Sequence, residues 1–383
     1  MPDTAAPRRG SVVYGARLPM YGARRGPGCE GRWLLVGPYA WICSDSAELS
    51  GEEPTAPRRA PLPEGFLSAL PAPVSGDGLP YRYYFVGKDG ASGFHDLEHA
   101  DEEAPDQDFE AGFVVALAEE RSAHGEPWGR TRRGEWIALR ELAAVPPPAF
   151  KGEIVEPSGS IDFGWVGVEK ANVYSAPLGG KVIGNRLRLE VVSWREEKVS
   201  PGGAMVRVSD DASPEAWMRA RDLVRQNLAP APEEIGGAAT KERWIDVELA
   251  TQSLVAYEGA RPVYATLVSS GKGPTGTDTA TPLGAHRIWV KLLSTNMGNL
   301  QNEDADEHYL IEEVPYVQFF DKAVALHGTF WHRDFGRVHS HGCLNLSPVD
   351  AEWLFGFTSP HLPGGWSAAL PAAIEKGTLV RVR

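Results

Sequence analysis

Phe85-Val86-Gly87 returns 80 positions later as Trp165-Val166-Gly167, and Gly93-Phe94 is answered at the same offset by Val173-Tyr174. Trp136-Ile137-Ala138-Leu139-Arg140-Glu141-Leu142 returns as Trp217-Met218-Arg219-Ala220-Arg221-Asp222-Leu223, at an offset of 81. A near-constant offset over that span means two copies of one unit, and a repeated unit constrains architecture more tightly than single-residue propensity does. Within each copy the apolar residues fall in short alternating runs, such as Gly112 to Leu117 and Leu187 to Val192, parted by charged or glycine-bearing turns. A period of two marks a half-buried strand, so each copy is expected to be a small β-barrel.

Three Pro-rich stretches flank the copies: Pro54 to Pro80, Ala143 to Pro157 and Leu228 to Thr240. Such composition favours extended connections over packed structure. The 42 Gly and 31 Pro of the 383 residues likewise favour many turns over long helices. The expected division is an N-terminal segment at 1–53, a linker at 54–80, the first repeat at 81–145 and a linker at 146–160. The second repeat follows at 161–227, then a linker at 228–241 and a final domain at 242–383. In the first segment Arg17-Leu18-Pro19 and Trp41-Ile42 occupy positions suited to a degenerate third copy.

The final domain opens on alternation: Ile245, Val247 and Leu249 interleave with Asp246 and Glu248, the pattern of a half-buried strand. A second strand is expected at Ser253 to Tyr257 and a third at Pro262 to Ser269, joined by a turn at Glu258-Gly259-Ala260-Arg261, making a β-meander. Downstream, Ser347-Pro348-Val349-Asp350 is a helix start, with a Ser N-cap, Pro in the first helical position and an acid in the third. A short amphipathic helix with Trp353, Leu354 and Phe357 inward is expected to follow. The fold class is therefore mainly β with short helices.

Charge and cysteine content exclude some partners. The formal net charge is -13 and no Lys/Arg run occurs, whereas affinity for a phosphate backbone comes from clustered basic side chains. Nucleic acid is not expected as a partner. No stretch approaches the ~20 apolar residues that span a bilayer, and Met1 to Gly10 has no apolar core of a secretion signal, so an export route is not read here. The oligomeric state is not read either. Of three cysteines, Cys29 and Cys43 lie close together and Cys343 far away. In an exported protein the first two could form a disulfide and leave Cys343 free; two ordinary thiols are the other reading.

The stretch from Ala325 to Leu346, ALHGTFWHRDFGRVHSHGCLNL, carries the chemistry: one cysteine among histidines 327, 332, 339 and 341. A thiol with an ordinary pKa of ~8.5 is only a few per cent thiolate at neutrality, and an adjacent imidazole is the usual remedy. Gly342 before Cys343 permits close approach of the backbone, and the amides of both residues could face a developing oxyanion. The same histidines with Cys343 and Asp334 are zinc-ligand types, but none of their spacings is a familiar zinc pattern.

His327-Gly328-Thr329 followed by Ser340-His341-Gly342-Cys343-Leu344-Asn345 resembles the signature of L,D-transpeptidase catalytic domains (the YkuD type). Val268-Ser269-Ser270-Gly271-Lys272 and Ala280-Thr281-Pro282-Leu283-Gly284-Ala285-His286-Arg287-Ile288 resemble two further segments of that family, with His286 where an aromatic is common. The repeats, each closed by a Trp-x-x-x-Arg-acidic-Leu segment, resemble the bacterial SH3-like domains that accompany wall enzymes. They would be wall-binding modules or mere packing partners.

The resemblance implies a β-sandwich catalytic domain over residues 242–383, with Cys343 as nucleophile, His327 as base and the Gly328 carbonyl orienting the imidazole. Gly342, His341, Ser340 and Asn345 would shape and brace the nucleophile loop. Trp331, Asp334 and Arg337 would line a substrate groove, with Arg337 able to meet a carboxylate. The implied reaction is peptidoglycan cross-linking: the thiolate attacks the third-residue carbonyl of a tetrapeptide stem, releases D-Ala, and the thioester is resolved by an amine of a second stem. Water as acceptor would make the protein an L,D-carboxypeptidase, and a non-catalytic wall-binding scaffold is the reading from another class. The implied location is the cell envelope or periplasm, with stem peptides as partners and neither metal nor organic cofactor.

Overall fold

The computed structural model describes residues 3–37, 39–54, 71, 74, 76–100, 104–209, 214–300, 308–372 and 375–383. It is mainly β, with one α-helix among the described residues, as the sequence patterns lead one to expect. Most of the Pro54 to Pro80 stretch lies outside the described residues.

Two large sheets hold the final domain. The first has the spatial order Glu153–Ile154, Arg261–Leu267, Ser253–Glu258, Arg243–Glu248, Leu379–Val382, Gly284–Arg287. Its three strands between Arg243 and Leu267 are the anticipated meander, paired antiparallel with Ile245 opposite Ala256 and Val255 opposite Ala265. The C-terminal strand runs parallel beside them, Val380 facing Ile245. This neighbour changes the fate of Asp246, which alternation put on a solvent face. Its carboxylate is buried, 2.7 Å from Arg381 Nε and 3.0 Å from Arg383 Nε, so two C-terminal guanidinium groups compensate its desolvation.

The second sheet crosses the expected segment boundaries. Its path runs Gly10–Val12, Trp366–Ala369, Val290–Gly298, Leu310–Asp321, Val114–Ala123, Arg82–Val86, Leu142–Ala144. The N-terminal segment thus adds an edge strand to the final domain, and the first repeat joins it through the bridge between Ile311 and Val114. Val324–Gly328 and Leu344–Leu346 branch from Leu310–Asp321. The two later Pro-rich connections are also packed: Glu153–Ile154 is an edge strand beside Tyr264 and Ala265, and Ile235 is buried with Trp244 and Tyr257.

The repeated segments adopt matching local structures. Val86 pairs with Leu142 and Val166 with Leu223; the Gly87 amide donates to Glu141 O at 2.8 Å and the Gly167 amide to Asp222 O at 2.9 Å. A 3-10 turn follows each repeated tryptophan segment, at Leu139–Glu141 and Ala220–Asp222. The run from Leu187 to Val192 is not one strand, however. Val182–Leu187 ends there, Leu189 takes φ 70°, and a separate strand begins at Val191. The Glu190 amide donates to Leu187 O at 3.1 Å, so a tight turn has replaced ladder pairing that alternation alone suggested.

The helix Pro348–Phe357 starts where expected, with Ser347 Oγ accepting from the Asp350 amide at 3.2 Å. It is not amphipathic. Trp353, Leu354 and Phe357 are buried, but so are Asp350, Ala351 and Phe355, because the two sheets and the connection near Gly152 enclose it. Asp350 is the one buried acid of this helix. Its carboxylate accepts from the Gly152 amide (2.7 Å), Tyr264 Oη (2.7 Å) and Thr266 Oγ1 (2.6 Å), tying helix, meander and connection together. Asp350→Ala would strand three buried donors; a loss of about 3 kcal/mol or more is expected, measured by urea unfolding. A change inside the ordinary scatter of surface substitutions would show that these bonds hold little.

Candidate active site

The strand Val324–Gly328 lies parallel to Leu344–Leu346, with Leu326 opposite Leu344, His327 opposite Asn345 and Gly328 opposite Leu346. Alternation along the second strand puts Cys343 and Asn345 on one face, the face His327 shares by register. Two segments separated in sequence are thereby brought together. Leu326, Leu344 and Leu346 are fully buried in the core that contains the helix, so the pair of strands is fixed by apolar packing from below.

His327 is itself buried and its Nδ1 lies 3.1 Å from Gly328 O, with Thr329 Oγ1 at 3.3 Å. A carbonyl can only accept, so Nδ1 carries the proton and Nε2 keeps its lone pair. Trp331 stacks on the ring at 5.8 Å between centroids. Burial lowers the His327 pKa to about 4, with the Gly328 bond opposing the shift. The half-buried Cys343 thiol has its pKa raised, again by burial, partly offset by a backbone hydrogen bond at Ala325. Neutral thiol and neutral imidazole are thus the resting forms at neutral pH. A neutral imidazole and a neutral thiol are the forms from which general-base activation would start; the thiol itself lies 3.9 Å from Ala323 O.

The loop before Cys343 is held by hydrogen bonds from the two upstream segments. Ser340 Oγ accepts the Gly342 amide (3.1 Å) and donates to Cys343 O (2.5 Å). Thr281 Oγ1 donates to Gly342 O (2.8 Å) while accepting from the Gly271 amide (2.9 Å). The Lys272 amide donates to Ser340 O, and Ser269 and Asn345 exchange a pair of backbone bonds at 3.0 and 2.9 Å. Gly342 has φ 128°, a conformation closed to residues with a side chain. Of the two amides suited to an oxyanion, Gly342 N–H is therefore already engaged, whereas Cys343 N–H has no acceptor among the described residues.

The remaining expected residues divide. The exposed His341 ring lies parallel to Tyr309, 6.4 Å away, and Tyr309 has its pKa raised by burial and then by the neighbouring Cys343 charge. Tyr309 is a wall of the site that motif reading missed, lying outside both motifs. Asn345 Nδ2 is 2.9 Å from His332 Nε2. Asp334 meets His339 at 3.0 Å, and Arg337 meets Glu169 of the second repeat at 2.7 Å. Arg337, expected to face a substrate carboxylate, thus has an internal one. His332, Asp334 and His339 converge within 4.8 Å of one another, but His332 Nδ1 accepts the Asp334 amide and its Nε2 meets Asn345, which leaves no free lone pair for a metal.

Both repeats grip the loop from Phe330 to Phe335. Tyr83 packs on Phe330, 4.1 Å between ring centroids, and donates to Glu313 O at 2.6 Å. Arg188 donates to Arg333 O (3.0 Å) and Phe335 O (2.5 Å). Cys29 and Cys43 are joined in a disulfide, and Cys343 is the free cysteine.

The pairing of resting states has two measurable consequences. Alkylation of Cys343 by iodoacetamide should be slow at neutral pH and still rising above the ordinary thiol range; a plateau near pH 6 would indicate a thiolate–imidazolium pair instead. His327, at about 4, and His332, lowered to about 3 by burial and by His339, stay neutral when folded. Unfolded, each takes up a proton below about 6.5. Their contribution to stability is thus present above that value and lost as pH falls from there through about 4 and then 3. Urea midpoints measured from pH 7 to pH 4 should fall, and a flat profile would contradict both assignments.

Residues 242–382 match the profile of the L,D-transpeptidase catalytic domain. No curated protein gives a significant match. Among solved structures the chain is similar to a mutant Enterococcus faecium L,D-transpeptidase, at 25% identity over 38% of this chain and 50% of that one, with a TM-score of 0.28. It is also similar to the catalytic domain of the E. faecium L,D-transpeptidase acylated by ertapenem (26% identity, 38% and 98% covered, TM-score 0.27). Mycobacterium tuberculosis L,D-transpeptidase 1 gives 17% identity, 44% and 77% covered, and a TM-score of 0.26. The chain spans half the length of the first of these.

Proposed function

We propose that the chain is a peptidoglycan L,D-transpeptidase working through a Cys343 thioester. The observation that carries this is the strand pairing that puts His327 in register with Asn345, two residues from Cys343, inside a domain matching the L,D-transpeptidase profile. In the proposed reaction His327 Nε2 takes the Cys343 proton as sulfur bonds to the third-residue carbonyl of a tetrapeptide stem. The oxyanion so formed is met by Cys343 N–H, the amide with no acceptor of its own. Collapse breaks the bond to D-Ala, whose nitrogen takes the proton from His327. An amine of a second stem then attacks the thioester, gives its proton to His327, and the proton returns to the departing sulfur.

Gly328 holds the imidazole in the tautomer this sequence requires, and Ser340, Thr281 and Asn345 hold the loop. Trp331 and Tyr309 would flank the bound stem. The site as proposed needs no metal or organic cofactor. A wall substrate puts the protein outside the cytoplasm, a location in keeping with the Cys29–Cys43 disulfide. No described helix is long and apolar enough to cross a membrane.

The test is incubation with purified tetrapeptide muropeptide followed by mass spectrometry. The wild type should release D-Ala and form a cross-linked dimer, and Cys343→Ala should do neither. D-Ala release without dimer would identify water as the acceptor and make the protein a carboxypeptidase. No release by the wild type would leave only a binding role. A carbapenem should add its mass to the wild type and leave Cys343→Ala unmodified; an adduct on that variant would put the acylated residue elsewhere.

A further inference from the structure

An open groove of about 1380 Å³ separates the N-terminal segment from the final domain, and neither the His327–Thr329 nor the Ser340–Asn345 segment lines it. One wall is the sheet Gly22–Arg24, Trp33–Gly37, Ala40–Cys43; the other includes Arg287 to Trp289, Trp366 and the segment near Lys376. We infer that this groove binds a carboxylate-bearing glycan strand, the polymer on which the stem peptides are carried. The choice of ligand rests on the function proposed above; the existence of a site does not.

Two observations point to such a ligand. Aromatic rings line the groove on both walls: Trp289 is 47% exposed and Tyr39 68% exposed, with Trp41 half-buried. Exposed flat rings with an electron-rich face suit the C–H face of a pyranose. Arg8, Arg24 and Lys376 also line the groove and meet no carboxylate among the described residues; Arg24 lies over the Trp41 ring at 5.7 Å. In a chain of net charge -13 that is a local reversal of sign, and it favours an anionic ligand.

Trp289 also packs on Phe319, 5.7 Å between ring centroids, and Phe319 and Cys343 pack against the same apolar cluster.

The full chain carrying Cys343→Ala binds without turnover and suits calorimetric titration. Soluble un-cross-linked glycan–tetrapeptide strands should bind at least about fivefold more tightly than free tetrapeptide. Trp289→Ala and Lys376→Glu, each added to that background, should each weaken strand binding about fivefold or more; thermal melting checks that both variants fold. The inference is overturned if strands bind no better than free tetrapeptide, or if both variants bind strands as the parent does. It is equally overturned if poly-glutamate competes as well as the strands, since any polyanion would then serve. D-Ala release from free tetrapeptide by the wild type is a separate readout, and its failure would sink the catalytic reading and leave the binding result standing.

Discussion

The parallel pairing of Val324–Gly328 with Leu344–Leu346 is the contact on which the site depends. Parallel neighbours have no tight turn to join them and need a long connection, here the segment from Thr329 to Cys343. That connection carries the aromatic wall, the charged cluster and the nucleophile loop. A slip of one residue would turn His327 away from the Cys343 face, because side chains alternate. The register is secured by Leu326, Leu344 and Leu346 on the core side and by the backbone exchange between Ser269 and Asn345 on the other edge.

A connection so long needs external support, and the rest of the chain supplies it. The first repeat contributes Tyr83 against Phe330, and the second contributes Arg188 to two loop carbonyls and Glu169 to Arg337. Arg333 adds a bond to Pro146 O at 3.2 Å, in the connection between the repeats. Even the Gly152 amide reaches the buried carboxylate of Asp350. The repeats therefore brace the connection between His327 and Cys343. This accounts for connections that look flexible by composition but lie packed on the sheets.

Much of this was legible in the sequence, for local physical reasons. The segments of His327 and Cys343 stand out because one cysteine lies within a cluster of histidines, and the parallel strands do bring the two segments together. The Ser347 cap and the meander follow from hydrogen-bonding capacity and alternation over a few residues. What could not be read depends on partners far away in the chain. Asp246 looked solvent-facing until Arg381 and Arg383 arrived beside it, and Arg337 looked free until Glu169 did. The helix looked amphipathic because its outer neighbours come from other segments. Gly342 N–H looked available as an oxyanion donor because its bond to Ser340 Oγ depends on a loop conformation that spacing does not specify. Tyr309 lies 18 residues before His327 and outside both motifs.

Acylation of Cys343 by a stem peptide, with His327 as its base, is the step on which the proposed function turns. Single-turnover reaction of the protein with tetrapeptide muropeptide, quenched and read by intact mass, tests it directly. The wild type should accumulate a thioester on Cys343, and His327→Gln, folded but without the base, should form it about 100-fold more slowly or worse. Equal rates in the two proteins, or a mass increase on a residue other than Cys343, would contradict the account.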